Sequence, residues 1–100
     1  MSSAMDELED RVRRQLDRIR DLGERMTAVR VRETSRGGEV TVVVDGNGAL
    51  RDLEFTDAIA RLTPVEFDRL VVDTAARAAQ RAFAERGELV NAFNDEMSQG

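Results

Sequence analysis

Positions 40–44 hold four valines and one threonine, and the run stops at Asp45-Gly46-Asn47-Gly48. Consecutive β-branched side chains are stiff against a helical turn but fit a pleated surface. Asn-Gly tolerates positive φ at both positions and is the strongest short-range hairpin signal. Residues 39–45 therefore read as a strand and 49–56 as its return. A two-residue Asn47-Gly48 loop would set Gly46 opposite Ala49, Val44 opposite Arg51, Val42 opposite Leu53 and Val40 opposite Phe55. Val40, Val42, Leu53 and Phe55 then share one face, the expected core. Val43 and Leu50 point the other way, beside Thr41, Asp52 and Glu54. That second face is partly apolar, which makes it a candidate for cover by another chain.

The hairpin sits between two helical patterns. Met5, Leu8, Val12, Gln15, Ile19, Leu22 and Met26 recur at alternating spacings of three and four, a heptad seam that Leu16 widens. This predicts an amphipathic helix over about 5–26. Acids crowd its first turns, where the helix dipole favours them. Glu7–Arg11, Glu9–Arg13, Asp10–Arg14 and Asp21–Arg25 are acid-first pairs at i, i+4. Gly23 weakens the pattern by about 1 kcal/mol relative to alanine and marks either close packing or a helix beginning to yield. The period then changes to two, with Val29 and Val31 alternating against Arg30 and Arg32, so a strand is expected over about 28–35. Gly37-Gly38 supplies the turn into the hairpin.

At the other end, Thr63-Pro64-Val65-Glu66 is a helix start, with Thr63 as N-cap, Pro64 at the first helical position and Glu66 closing a capping box. Phe67, Leu70, Val71, Thr74, Ala75, Ala78, Ala82 and Phe83 form the stripe expected to be buried. The helix is expected over about 64–85, with an interruption at Gly87 and a resumption reaching about 95. The fold class is thus α+β: one domain over residues 1–100, helix, three antiparallel strands, helix. Such a sheet has two open edges, which pairing with a second copy would cover.

The 100 residues include no His, Cys, Lys, Tyr or Trp. That removes the usual general base near neutral pH, the thiol nucleophile, the Schiff-base amine and the commonest metal ligand. No enzyme activity, metal or cofactor is expected. No apolar run approaches the roughly 18 residues a membrane span requires, and Met-Ser-Ser-Ala-Met-Asp-Glu has no signal-peptide character. Without cysteine there is no disulfide framework. A cytoplasmic protein is expected.

Net charge is −5, the wrong sign overall for a polyanion partner. Its distribution is uneven. Residues 11–36 carry nine arginines against four acids, a local +5. On the heptad wheel Arg11, Arg18 and Arg25 fall in one column with Arg14 adjacent, and Arg13 and Arg20 form a second. Asp10, Asp17 and Glu24 lie between them. Two readings stand: an arginine-lined arm that meets phosphates, extended by Arg30, Arg32 and Arg36, or a solvated helix surface laced with ion pairs. The seam residues Met5, Val12, Ile19 and Met26 are likewise open to core packing, dimer packing or a groove for a partner helix.

Three passages in this order, together with the amphipathic first helix, carry a resemblance. They are Val29-Arg-Val-Arg-Glu-Thr-Ser-Arg-Gly-Gly38, Glu39-Val-Thr-Val-Val-Val-Asp-Gly-Asn-Gly-Ala-Leu50 followed by Leu53-Glu-Phe55, and the alanine-rich helix capped at Thr63. Over roughly residues 5–85 the chain resembles the bacterial YbaB/EbfC family of nucleoid-associated proteins. The resemblance implies a homodimer joined through its strands into a shared sheet, with long helices projecting like the arms of tweezers. It further implies binding of double-stranded DNA with limited sequence preference, in the nucleoid. Similar actinobacterial sequences occur as accessory proteins of specialised secretion systems, so a non-catalytic adaptor for a protein partner is the alternative. For DNA the candidate contacts are Arg11, Arg13, Arg14, Arg18, Arg20 and Arg25; for the dimer they are Val43, Leu50, Leu8, Val12 and Ile19.

Overall fold

The computed structural model describes residues 3–99. Helix α1 spans Ser3–Thr27. Strands β1 (Arg30–Thr34), β2 (Val40–Asp45) and β3 (Leu50–Phe55) follow, then a single 3-10 turn (Asp57–Arg61) and helix α2 (Pro64–Gln99). The sheet is antiparallel in the order β1-β2-β3, which gives the expected α-β-β-β-α arrangement. No helix among the described residues is long and apolar enough to cross a membrane.

Ser35 closes the turn between β1 and β2. Its buried hydroxyl donates to Glu39 Oε1 (2.8 Å) and accepts the backbone amides of Glu39 (3.0 Å) and Val40 (3.1 Å). Hydrogen bonding to the Glu39 carboxyl, from its own backbone amide first and then the Ser35 hydroxyl, holds it below its ordinary range. Gly38, at φ 76°, supplies the left-handed residue of the turn.

The second turn differs from the expectation. Val40 faces Phe55 and Val42 faces Leu53 as predicted, but Val44 faces Leu50, not Arg51. The cause is Asp45. Its Oδ1 accepts the amides of Asn47 (2.9 Å) and Ala49 (3.1 Å), while Gly48 N donates to Asp45 O (2.9 Å) and Asp45 N to Ala49 O (3.0 Å). Asp45 therefore pairs with Ala49 around a three-residue loop whose last member, Gly48, has φ 77°. Closing the loop one residue early leaves β3 with a residue too many, and the register is recovered between Val43 and Val44 by a bulge at Arg51. Leu50 thereby comes onto the face of Val44 instead of the opposite one.

The core is Val29, Val31, Val42, Val44, Ala78 and Ala82, with Leu53 and Leu89 packed against it, and Val40 and Thr74 are also fully buried. Small α2 residues let the helix approach the valines closely. Helix α2 lies over β1 and β2 and barely reaches β3. Two predicted core residues are consequently outside the core. Phe55 is 58% exposed, although its partner Val40 is buried, and Phe83 is 52% exposed. Its ring still abuts the hairpin, because a Cβ on Gly48 would sit 2.9 Å from Phe83 Cζ.

The start of α2 is as read from sequence: Glu66 N donates to Thr63 Oγ1 (3.1 Å) and Thr63 N to Glu66 Oε1 (3.0 Å). The expected interruption at Gly87 is absent, and α2 runs unbroken to Gln99. A single glycine costs a helix about 1 kcal/mol, and the flanking residues outweigh it. Arg86 Nη1 donates to Gly46 O (3.0 Å), and Leu89 packs on the core. Gly23 likewise lies within α1, and nothing stands within 4 Å of where its Cβ would be, so it marks no close packing.

Candidate functional site

Past the end of the sheet, α1 and the last turns of α2 run together. Arg18, Asp21, Leu22 and Arg25 face Leu89, Ala92, Phe93 and Glu96. The molecule is accordingly long, 76 × 19 × 16 Å. The N-terminal turns of α1 extend beyond these contacts as an arm, and no residue of α1 is buried.

This placement decides between readings of the heptad seam. Met5, Leu8, Val12, Leu16 and Ile19 are all exposed large apolar residues, whereas Leu22 and Met26 are half-buried. The N-terminal part of the seam is therefore not core of this chain, and core packing of Leu8, Val12 and Ile19 is excluded. It presents an apolar stripe to whatever lies outside.

Beside that stripe are the arginines. Arg11, Arg13, Arg14 and Arg20 are exposed, and none forms an ion pair or side-chain hydrogen bond within the described residues. Of the four acid-first pairs anticipated on α1, only Asp21–Arg25 closes, at 2.9 Å. Arg18 is half-buried beside α2. The arm thus carries uncommitted guanidinium groups, not a lattice of ion pairs. That is the physical state in which an Arg fork is free to grip a planar oxyanion.

The patch does not continue as a stripe along β1. Arg32 is held by Glu54 across the sheet at 2.7 Å. Arg36 lies past the far end of β1, away from the arm. Arg30 stays at the base of the arm, where its Nη1 donates to the carbonyls of Thr27 (3.2 Å) and Val29 (2.8 Å). The sequence reading did not single out Arg51 or Arg86, which the structure brings to the same place. Neither has a local signal, because their convergence depends on the β3 bulge and on the path of α2.

The two sheet faces separate the candidate dimer residues. Val43 is half-buried between Arg32 and Asp52 on the face away from α2. Leu50, 51% exposed, lies on the α2 side with Phe55 along the uncovered strand β3. These two residues do not form one patch. Leu50 and Phe55 do line one edge, and among the described residues no strand lies beyond it.

Comparison with known proteins gives two matches of different kinds. A family model described as the YbaB/EbfC DNA-binding family matches residues 1–97. The crystal structure of an uncharacterized protein from Helicobacter pylori superposes with a TM-score of 0.64 at 21% identity, covering 94% of this chain and 96% of that one. At that identity the likeness concerns the fold. No curated protein matches the chain.

Proposed function

The chain belongs to the YbaB/EbfC DNA-binding family, and from that membership we propose that it is a non-catalytic, nucleoid-associated protein of the cytoplasm that binds duplex DNA as a homodimer. Contacts run from the arginines of α1 to backbone phosphates. The observation that carries this reading is the set of exposed, unpaired guanidinium groups on α1, Arg11, Arg13 and Arg14 on its projecting turns and Arg20 alongside α2. Arg18 is half-buried beside α2, and Arg25 is shared with Asp21. The overall charge of −5 opposes approach of a polyanion, so binding depends on the arms reaching the duplex ahead of the acidic body. Phosphate contacts carry no base information.

Pairing of two copies is supported by β3, an edge strand with Leu50 and Phe55 uncovered on its α2 side. A second copy laid against this edge would satisfy unpaired strand amides and remove apolar surface from water together. Sedimentation at micromolar concentration should give the mass of two chains, and a stable monomer would contradict this part of the proposal. For the DNA part, two duplexes of unrelated sequence should compete for the protein within a fewfold of each other. Discrimination of about a hundredfold or more would point to base readout and overturn the phosphate-contact account.

The exposed stripe of Leu8, Val12 and Ile19 favours a second reading, an adaptor that lays the α1 seam against a partner protein. The same seam also serves packing between the arms of a dimer, with Gln15 setting register.

A further inference from the structure

Three guanidinium groups from three elements line one pocket, of about 390 Å³, where the arm leaves the sheet. Arg30 opens β1, Arg51 is the bulged residue of β3, and Arg86 lies on α2. Each is placed by its own local cause. Arg86 Nη1 donates to Gly46 O (3.0 Å) and Asn47 Oδ1 (3.3 Å), which ties α2 to the hairpin tip. Arg30 Nη1 donates to the carbonyls of Thr27, the last residue of α1, and of Val29 beyond it, and its charge offsets the negative end of that helix dipole. Arg51 Nη1 stands 3.7 Å from Asp45 Oδ2, an ion contact too long for a hydrogen bond.

In all three residues the protein contacts run through Nη1. The Nε and Nη2 groups keep donors with no acceptor among the described residues. The one acid in the pocket, Asp45, is already committed. Its carboxyl is held below the ordinary aspartate range chiefly by the Ala49 amide, then by that of Asn47 and by the nearby Arg51 and Arg30 charges, while burial works the other way. Three permanent positive charges therefore face one carboxylate, and the excess is positive. Converging arginine forks with spare donors suit an oxyanion with several acceptor oxygens, which describes a phosphate.

We propose that Arg30, Arg51 and Arg86 form a phosphate-binding pocket that takes a backbone phosphate of duplex DNA at the base of the arm. The assignment to DNA rests on the function proposed above; the phosphate chemistry of the pocket does not. The last turn of α1, through Met26 and Thr27, lines the pocket. Arg14 lies about 18 Å up the same helix, about half of one duplex turn, so a single duplex can span the arm and the pocket. A free phosphorylated compound would use the same donors, and the test separates the two sources.

The experiment is a ¹H–¹⁵N titration of the full chain with inorganic pyrophosphate in one arm and a 16-base-pair duplex in the other, repeated with Arg51→Glu and Arg51→Gln. Arg51 is a suitable site because it is exposed and makes only the 3.7 Å contact. Thermal unfolding of each variant checks that it folds. The proposal expects both ligands to shift the Gly46 and Asn47 amides and the Nε signals of Arg30, Arg51 and Arg86. It expects Arg51→Glu to weaken the duplex about tenfold and to lower the salt slope of binding by about 1 for each pocket engaged, with Arg51→Gln intermediate. Shifts with pyrophosphate but not with bound duplex would overturn the DNA assignment in favour of a free phosphate compound. Duplex binding that leaves these signals and the Arg51→Glu affinity unchanged would overturn the pocket while leaving the α1 arginines in place. Absence of any duplex binding would defeat the function proposed above, and the pyrophosphate arm would then decide the pocket, a null result overturning it as well.

Discussion

Changing Arg11, Arg13 and Arg14 together to glutamate is expected to weaken duplex DNA binding at least about 100-fold at low salt. The slope of log affinity against log salt should shrink by about 3 for each arm engaged. These three residues are chosen because the structure leaves them exposed and without ion pairs. Arg18 and Arg25 are less clean targets, since one lies against α2 and the other is bound to Asp21. Reversal has a side effect on the helix itself. Glu7, Glu9 and Asp10 would then face acids at i+4, costing the arm about 0.2–0.5 kcal/mol per pair. The triple change to glutamine removes the charges without that repulsion and should lose most of the same affinity. Fluorescence anisotropy with both variants, beside far-ultraviolet circular dichroism, separates lost contacts from a frayed arm. Wild-type affinity in the glutamine variant would remove these residues from the interface.

The second large effect concerns two neighbouring valines. Val42 is fully buried beneath α2, whereas Val43 is half-buried on the opposite face between Arg32 and Asp52. Val42→Asp would place an unpaired carboxylate in the apolar core. Such changes cost upwards of about 4 kcal/mol, against about 5–15 kcal/mol for a whole domain. Loss of the cooperative thermal transition, or a fall in its midpoint of more than about 15 °C, is expected. Val43→Asp puts the same charge between Arg32 and the like-charged Asp52, but with access to water, and should cost about 1 kcal/mol. Equal effects from the two would mean that the faces of β2 are wrongly assigned.

Features that depend on neighbours in the chain are legible in the sequence. The hairpin, the Thr63–Glu66 capping box and the outer half of the β2–β3 register all follow from residues within a few positions of one another. The bulge at Arg51 was not legible, because it requires the Asp45 side chain to capture two loop amides in place of the two-residue turn that Asn47-Gly48 favours. The exposure of Phe55 was hidden for a different reason: alternation gives the face of a strand but not how far a helix extends sideways across the sheet. Continuity of α2 through Gly87 was decided by tertiary anchors at Arg86 and Leu89, which override a local propensity. For the site, heptad arithmetic placed the α1 arginines in their columns. It could not show that most of their anticipated ion pairs stay open, nor that Arg51 and Arg86 meet Arg30.

The central claim is phosphate-dominated DNA binding by the α1 arms, and salt dependence tests it most directly. Anisotropy of a labelled random duplex should be followed from 50 to 200 mM salt. Four uncommitted arginines on each α1 helix predict a slope of roughly −4 if one helix engages and −7 if both do, with micromolar or tighter affinity at the lowest salt. No binding at 50 mM, or an affinity that stays level as salt rises, would contradict the account.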